Sequence, residues 1–396
     1  MQESSVPQFG SDAWFLDASS WYDLMLRSAP IFFEKGSGTW NVFRYEDVER
    51  VLTQFGTFSS EFGSYDSSAP RERASAEEAD IMGSMLTTDP PFHTKLRNIV
   101  SKSFTPASIG LQEPRIREIA QDLLKKVDAA KLDFVTDFSD PLPVTVIAEM
   151  LGIPIEDRKR FKKWSDNEIG SSEESLESRR RTHTELVRYF TKTIEEREKN
   201  PKSDLISSIV TSEVDGARLT ESEAVSFCIL LLIAGNETTT NLLGNAIRLF
   251  VRHHSMERLN ENPQLISSAV EEVLRYSSPV RGMFRIAVKE TEISGHPIKS
   301  GHSMMAWIGS ANRDGAKFSE PQKFDIRRKP NPHIAFGHGI HMCLGAPLAR
   351  LESRVAIELL SESYRKLELR TREEDLIPIR NVAIDGVRHL PIRLAA

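Results

Sequence analysis

Hydrophobic positions recur along this chain in two rhythms, one of strands and one of helices. Ile31, Phe32 and Phe33, the loop Glu34 to Gly38 and then Trp40 to Phe43 predict a short β-hairpin, and Val48, Val51 and Leu52 follow at helical spacing. Beyond them the pattern is strongly helical. Ile116, Ile119, Leu123 and Val127 recur every three or four residues and form one apolar stripe on a helix entered through Pro114. Two polar stretches, Ser64 to Asp80 and Ser171 to Arg181, hold too few apolar side chains to be buried and read as mobile surface segments. Strand-like pieces follow at Phe284 to Val288 and Ile293 to Ile298, then a Pro-rich irregular stretch from Glu320 to Pro332 and a last helix from Leu344 to about Leu360. With no repeat of 20 to 50 residues visible, the fold class is mainly α with a minor β region, expected as one domain over residues 1–396. Its β-containing parts are expected at roughly 30–60 and 284–300.

The helix best defined by sequence starts at Thr220. Thr220 and Glu223 have capping-box spacing, and Leu219 and Ala224 are placed as a hydrophobic staple. Phe227, Leu230, Leu231, Ile233 and Ala234 then make the helix apolar nearly all round, as a helix buried through the middle of a domain requires. Gly235, Asn236, Glu237 and Thr238-Thr239-Thr240 interrupt that pattern with a flexible residue, an acid and three β-branched hydroxyls. Helix propensity falls here, and a mid-helix Thr can return its hydroxyl to an earlier carbonyl. A local rule broken in one place of an otherwise consistent helix marks a functional site.

Composition narrows the function classes. The 396 residues carry 51 Lys and Arg against 57 Asp and Glu, a net charge of −6, and are 39% hydrophobic. Disordered and disulfide-rich classes drop out, and the acidic balance argues against an electrostatic nucleic-acid binder. The longest apolar run, Phe227 to Ala234, is under half the ~20 residues that span a bilayer, and no basic flank precedes an apolar stretch at the N-terminus. No membrane anchor is expected. The two cysteines suggest no disulfide, so a cytoplasmic location fits.

The most informative stretch is Phe336-Gly337-His338-Gly339-Ile340-His341-Met342-Cys343-Leu344-Gly345. A Cys at the mouth of a helix has its thiolate favoured by the helix dipole and by unpaired N–H groups. Glycines let the backbone aim those N–H groups at one point, a nest for an anionic sulfur. Three other readings compete. A buried structural Cys does not need the glycine frame. Zinc held by His341 and Cys343 with His338 or His333 lacks a further Cys, except Cys228 in the core helix. A dinucleotide loop starting at Gly337 fails because its third glycine would fall on Met342.

Phe336-x-x-Gly339-x-x-x-Cys343-x-Gly345 resembles the cysteine-ligand loop of the cytochrome P-450 family, the haem-thiolate monooxygenases. Ala234-Gly235-Asn236-Glu237-Thr238-Thr239 resembles the oxygen-activating stretch of the family's central helix. Glu272-Val273-Leu274-Arg275 resembles its E-x-x-R element, Asn312-Arg313-Asp314 with Phe318 and Phe324-Asp325 the segment before the cysteine loop, and Asp89-Pro90-Pro91-x-His93-x-x-x-Arg97 the start of a haem-contacting helix. The likeness runs in order from about residue 20 onward and is nearest to broad-specificity bacillus-type hydroxylases.

The resemblance implies the family fold, with haem b (iron protoporphyrin IX) between the long central helix and the helix following the cysteine loop, and Cys343 as the axial ligand of the iron. Ala234, Gly235, Phe336, Gly337 and Gly345 would adjoin the haem. His93, Arg97, Arg285 and His341 would meet its propionates; the competing reading for each is a surface charge or a satisfied core histidine. Glu237 and Thr238 would deliver protons through water to dioxygen, with Glu where many bacterial members carry Asp. Both are present, which disfavours the peroxide-dependent branch. Glu272 and Arg275 are structural, an internal pair extended to the segment around Arg313 to Arg327. By position, Phe62, Tyr65, Met85, Leu86, Leu230, Ile233, Ala234, Val280, Met283, Phe284 and Ile384 would line the substrate pocket, an apolar set suited to a fatty acid, terpenoid or steroid.

The expected activity is oxygen insertion from O2 into such a lipophilic molecule by a monomer, with electrons from NAD(P)H through a ferredoxin or flavodoxin and its reductase, since no flavin or iron–sulfur module is fused to the chain. Lys95, Lys102, Arg350 and Arg354 would form the basic patch on which the donor docks. The alternative is a haem-thiolate ligand-binding or gas-sensing protein without turnover.

Overall fold

The computed structural model describes residues 6–61, 84–169, 176–213 and 218–395. Phe62, Tyr65 and the polar stretch Ser64 to Asp80 lie outside them. So does the first part of the second polar stretch, read as a mobile surface segment; from Leu176 that stretch belongs to the helix Leu176–Lys199. Its charges sit on exposed helical positions, where Glu177 and Arg181 pair four residues apart.

The early hairpin forms as expected, β1 (Ile31–Glu34) against β2 (Thr39–Val42), and the helix Tyr45–Thr53 follows with Val48, Val51 and Leu52 buried. The remaining strands are β3 (Phe58–Ser59), β4 (Met283–Ala287), β5 (Thr291–Ile293), β6 (His296–Ile298), β7 (Ser303–Ala306), β8 (Lys366–Leu369) and β9 (Ile392–Ala395). One sheet has the order β1-β2-β7-β4-β3, so the N-terminal hairpin is completed by strands more than 200 residues later. The single strand expected over Ile293 to Ile298 is in fact the β5/β6 hairpin. Ser294 and Gly295 both take positive φ in a two-residue turn that pairs Ile293 with His296.

The rest is helical. The central helix Glu221–Arg252 starts at the capping box of Thr220 and Glu223 and runs unbroken for 32 residues. It is long and apolar enough to cross a bilayer, yet 78% of its apolar window is buried inside the protein, so it is a core helix. Helices Pro141–Leu151, Arg158–Ile169, Leu176–Lys199 and Ala346–Ser363 pack around it. The helix Glu113–Leu124 buries Ile116 and Ile119 and ends before Val127, which is half-buried beyond it. Trp14, Trp21, Phe43 and Trp307 form a separate aromatic cluster that fixes the N-terminal helices to the sheet.

Candidate active site

Cys343 sits between a 3-10 turn, Gly339–His341, and the helix Ala346–Ser363. Its N–H donates to the Phe336 carbonyl at 2.8 Å and closes the loop on itself. Gly337 and Gly339 both hold φ of 72°. At Gly339 a side chain would also collide with the backbone of Leu52 and Thr53, 3.1 and 3.0 Å away, so the loop can lie against the helix Tyr45–Thr53 only as glycine. Gly345 stands 3.9 Å from the Cys343 sulfur by its missing Cβ.

The sulfur lies deep in the protein, and that burial pushes the thiol pKa up; the N–H groups of Gly345 and Ala346 and the charges of Arg97 and Arg350 pull it back down. This is the expected nest, an arrangement whose donors favour the thiolate once a cation compensates the burial. Cys343 nonetheless has accessible surface, as has Ala234 on the central helix between buried Ile233 and buried Asn236.

The polar interruption of the central helix resolves residue by residue. Gly235 packs beside Ile147 of the helix Pro141–Leu151, where a Cβ would stand 3.6 Å from that side chain, an ordinary contact distance. Asn236 donates to the Ser165 hydroxyl at 3.0 Å and Thr240 to the Ser139 carbonyl at 3.1 Å, so both serve packing. Thr238 is half-buried and returns its hydroxyl to the Ala234 carbonyl at 2.8 Å, while Glu237 is buried beside it.

His93, Arg285 and His341 come together with Asp89. The His93 and His341 rings lie 4.4 Å apart, and His341 Nε2 is 3.6 Å from Asp89 Oδ1, beyond hydrogen-bond reach. Both ring nitrogens of His93 are buried without a partner among the described residues. Arg285 is buried and, among the described residues, has only its neighbour's carbonyl, Phe284 O, as acceptor, and burial depresses its pKa to about 10. Burial also lowers the His341 pKa; Asp89 opposes this, and the charges of Arg285 and Arg97 add to it. Orphaned donors and excess positive charge around one space fit a group that carries carboxylates. Arg97 also straps the cysteine loop, donating to the Ile340 and Met342 carbonyls at 3.0 and 2.8 Å. Asp89, held by Ser59 at 2.6 Å, is the member whose role sequence reasoning missed.

Glu272 and Arg275 form a fully buried bidentate pair, both contacts 2.8 Å. Arg275 also donates to the carbonyls of Asn312, Pro321 and Lys323, and Glu272 accepts from Arg328 and the Asp325 N–H. Of the apolar pocket set, Val280 and Ile384 meet in a β-bridge, Met283 and Phe284 lie on β4, Leu230 and Ile233 on the central helix, and Met85 is buried beside accessible Leu86. Among the described residues no cluster of three or more His, Cys, Asp or Glu could hold a metal ion, which removes the zinc reading of the loop.

The sequence model of the family Cytochrome P-450 matches residues 135–384, more than half of the sequence. The chain belongs to the cytochrome P-450 family. The putative cytochrome P-450 YjiB of Bacillus subtilis is 43% identical over 94% of this chain and 93% of that protein. Erythromycin C-12 hydroxylase of Saccharopolyspora erythraea is 38% identical over 98% and 96%. The crystal structure of CYP109E1 from Bacillus megaterium in complex with corticosterone superposes with a TM-score of 0.86 at 39% identity, covering 97% of this chain and all of that one. The mainly helical architecture with its small sheets is therefore the cytochrome P-450 fold, and the protein is a P-450 monooxygenase that works with a cysteine-ligated haem. The reading as a sensor without turnover falls.

Proposed function

We propose that this P-450 hydroxylates a lipophilic small molecule, of the fatty acid, terpenoid or steroid class, in the cytoplasm, with the whole chain acting as one monomeric catalytic domain. Electrons would come from NAD(P)H through a ferredoxin or flavodoxin. The observation that carries the reading is the Cys343 sulfur, sunk deep in a ring of N–H donors and guanidinium charge on a residue that keeps accessible surface. In this assignment Cys343 would ligate the iron, and His93, Arg97, Arg285 and His341 would meet the propionates. Ala234 and Gly235, small residues with accessible surface on the central helix, would adjoin the haem. Haem held by a thiolate activates dioxygen and favours cleavage of its O–O bond. Thr238 and Glu237 then keep a proton route open at the Ala234 turn, the hydroxyl fixed by its carbonyl bond and the acid buried next to it.

The substrate class rests on the apolar lining from Met85, Leu86, Leu230, Ile233, Val280, Met283, Phe284 and Ile384, with Phe62 and Tyr65 on the segment outside the described residues. It is supported by the corticosterone and testosterone complexes of CYP109E1. Two measurements test it. The reduced carbon monoxide complex should show the red-shifted Soret band of thiolate ligation and lose it in Cys343→His. Titration with steroids, terpenoids and fatty acids should shift the ferric spectrum, and indifference to all three would overturn the substrate assignment.

A further inference from the structure

A small polar cavity lies behind the candidate pocket wall, at the far end of the central helix. Its volume is about 30 Å³, and Asp17, Tyr22, Arg248, Arg281, Glu373 and Asp385 are among its walls. Arg281 and Asp385 directly follow Val280 and Ile384, the two bridged residues of the pocket wall, and pair with each other at 2.7 Å.

Hydrogen-bond accounting here does not close. Every carboxylate oxygen in the cavity is already engaged. Asp17 accepts from the Ser19 N–H and from Arg252, Glu373 from Arg248 and through both oxygens from Arg252, and Asp385 from Arg281 and Ser277. Three donors are left over. Tyr22 Oη, Arg248 Nε and Arg281 Nη1 are buried without a partner among the described residues. Charge shows the same imbalance, since Arg248, Arg252, Arg281 and Arg313 face only three carboxylates across the cavity. The Tyr22 hydroxyl lies over Gly309, where a Cβ would stand 2.9 Å from it, so the glycine leaves room for the phenol.

We propose that this cavity is a binding site for a single monatomic anion of chloride size. An anion accepts from all the orphaned donors and supplies the missing charge. Water accepts too, but it carries no charge and leaves four guanidinium groups facing three carboxylates. A volume of about 30 Å³ is room for one such ion or for one or two waters. The bound ion ties the N-terminal helices, the central helix and the loop carrying Ile384 to one centre.

The test uses purified holoprotein at constant ionic strength, with chloride replacing gluconate. The unfolding temperature should rise with chloride and saturate, as for any ligand that binds only the folded state. Tyr22→Phe keeps the ring and removes one donor to the ion, which should raise the chloride midpoint about tenfold. Crystals grown in bromide should show an anomalous peak between Tyr22, Arg248 and Arg281. No difference between chloride and gluconate, no bromide peak at this cavity, or an unchanged midpoint in Tyr22→Phe would overturn the proposal in favour of waters.

Discussion

The Thr238 hydroxyl donates to the Ala234 carbonyl at 2.8 Å, across the turn where the buried central helix acquires accessible surface. That bond holds the oxygen of Thr238 at the helix wall without consuming its capacity to accept. Thr238→Ala removes the hydroxyl and leaves the fold and the cysteine loop untouched. Haem content should be normal and NAD(P)H oxidation should continue, while product formation drops on the order of 10²-fold, the lower range for a positioned proton donor. Hydrogen peroxide should account for the missing electrons, and Thr238→Ser should restore product. Unchanged coupling in the alanine variant would remove Thr238 from the chemistry.

Glu272 and Arg275 are expected to act on folding rather than on the chemistry. Both side chains are fully buried, and the pair anchors the irregular segment through the Asn312, Pro321 and Lys323 carbonyls. Glu272→Ala strands the guanidinium and should cost roughly 3–5 kcal/mol. The expected result is a low yield of holoprotein and an early urea transition. A variant that unfolds like wild type and loses only turnover would contradict the assignment.

The acid sensitivity of the haem-free protein should trace to His93. Burial first, then the neighbouring His341 and Arg97, hold its pKa down at about 4, against ~6.5 in the unfolded chain. Between these values the unfolded state binds a proton that the folded state refuses, so stability is complete above pH ~6.5 and is lost as pH falls toward 4. His93 accounts for about 2 kcal/mol of loss by pH 5, and His341, also depressed, acts in the same direction. Urea titrations of the apoprotein at pH 7 and pH 5 should show this slope, and His93→Phe should flatten it. Equal slopes would exclude His93. Bound propionates supply the missing negative charge, so the holoprotein should be less acid-sensitive.

What the sequence revealed and what it concealed divide by distance along the chain. The capping box of Thr220 and Glu223, the glycine frame around Cys343 and the i,i+3 pair Glu272–Arg275 are local, and each was legible because its partners stand within a few residues. The β5/β6 hairpin was misread as one strand, although Ser294-Gly295 is a turn dipeptide, because Ile293 and Ile298 suggested continuity. β8 and β9 pair with each other across more than 20 intervening residues and carry too little alternation to announce themselves. The orphaned state of His93 and the second duty of Arg97 depend on what the fold brings near them, which no spacing encodes.

The same reasoning revises the docking surface for the electron donor. Arg350 and Arg354 were expected to join Lys95 and Lys102 in a basic patch, but both arginines are spent. Arg350 makes two bonds to Glu271, at 2.7 and 2.9 Å, and lies over the Phe336 ring, and Arg354 bridges Glu113 and Glu358 at 2.6 and 2.7 Å. Their acids stand 79 and 241 residues away or on the next helical turn, so charge counting along one helix overstated the field. Among the described residues neither Lys95 nor Lys102 has an ion-pair partner, and Lys102 is exposed. Screening over ~8–10 Å lets a local positive site steer an acidic partner even on a molecule of net charge −6. Lys102→Glu should therefore slow ferredoxin-supported reduction several-fold at low salt and flatten its dependence on ionic strength, with substrate titrations unchanged. Arg354→Glu should behave differently, setting three carboxylates against one another and lowering the unfolding temperature while adding little to the salt effect. Stopped-flow reduction across a salt series separates the two, and a Lys102→Glu protein with the wild-type rate and slope would show that the donor docks elsewhere.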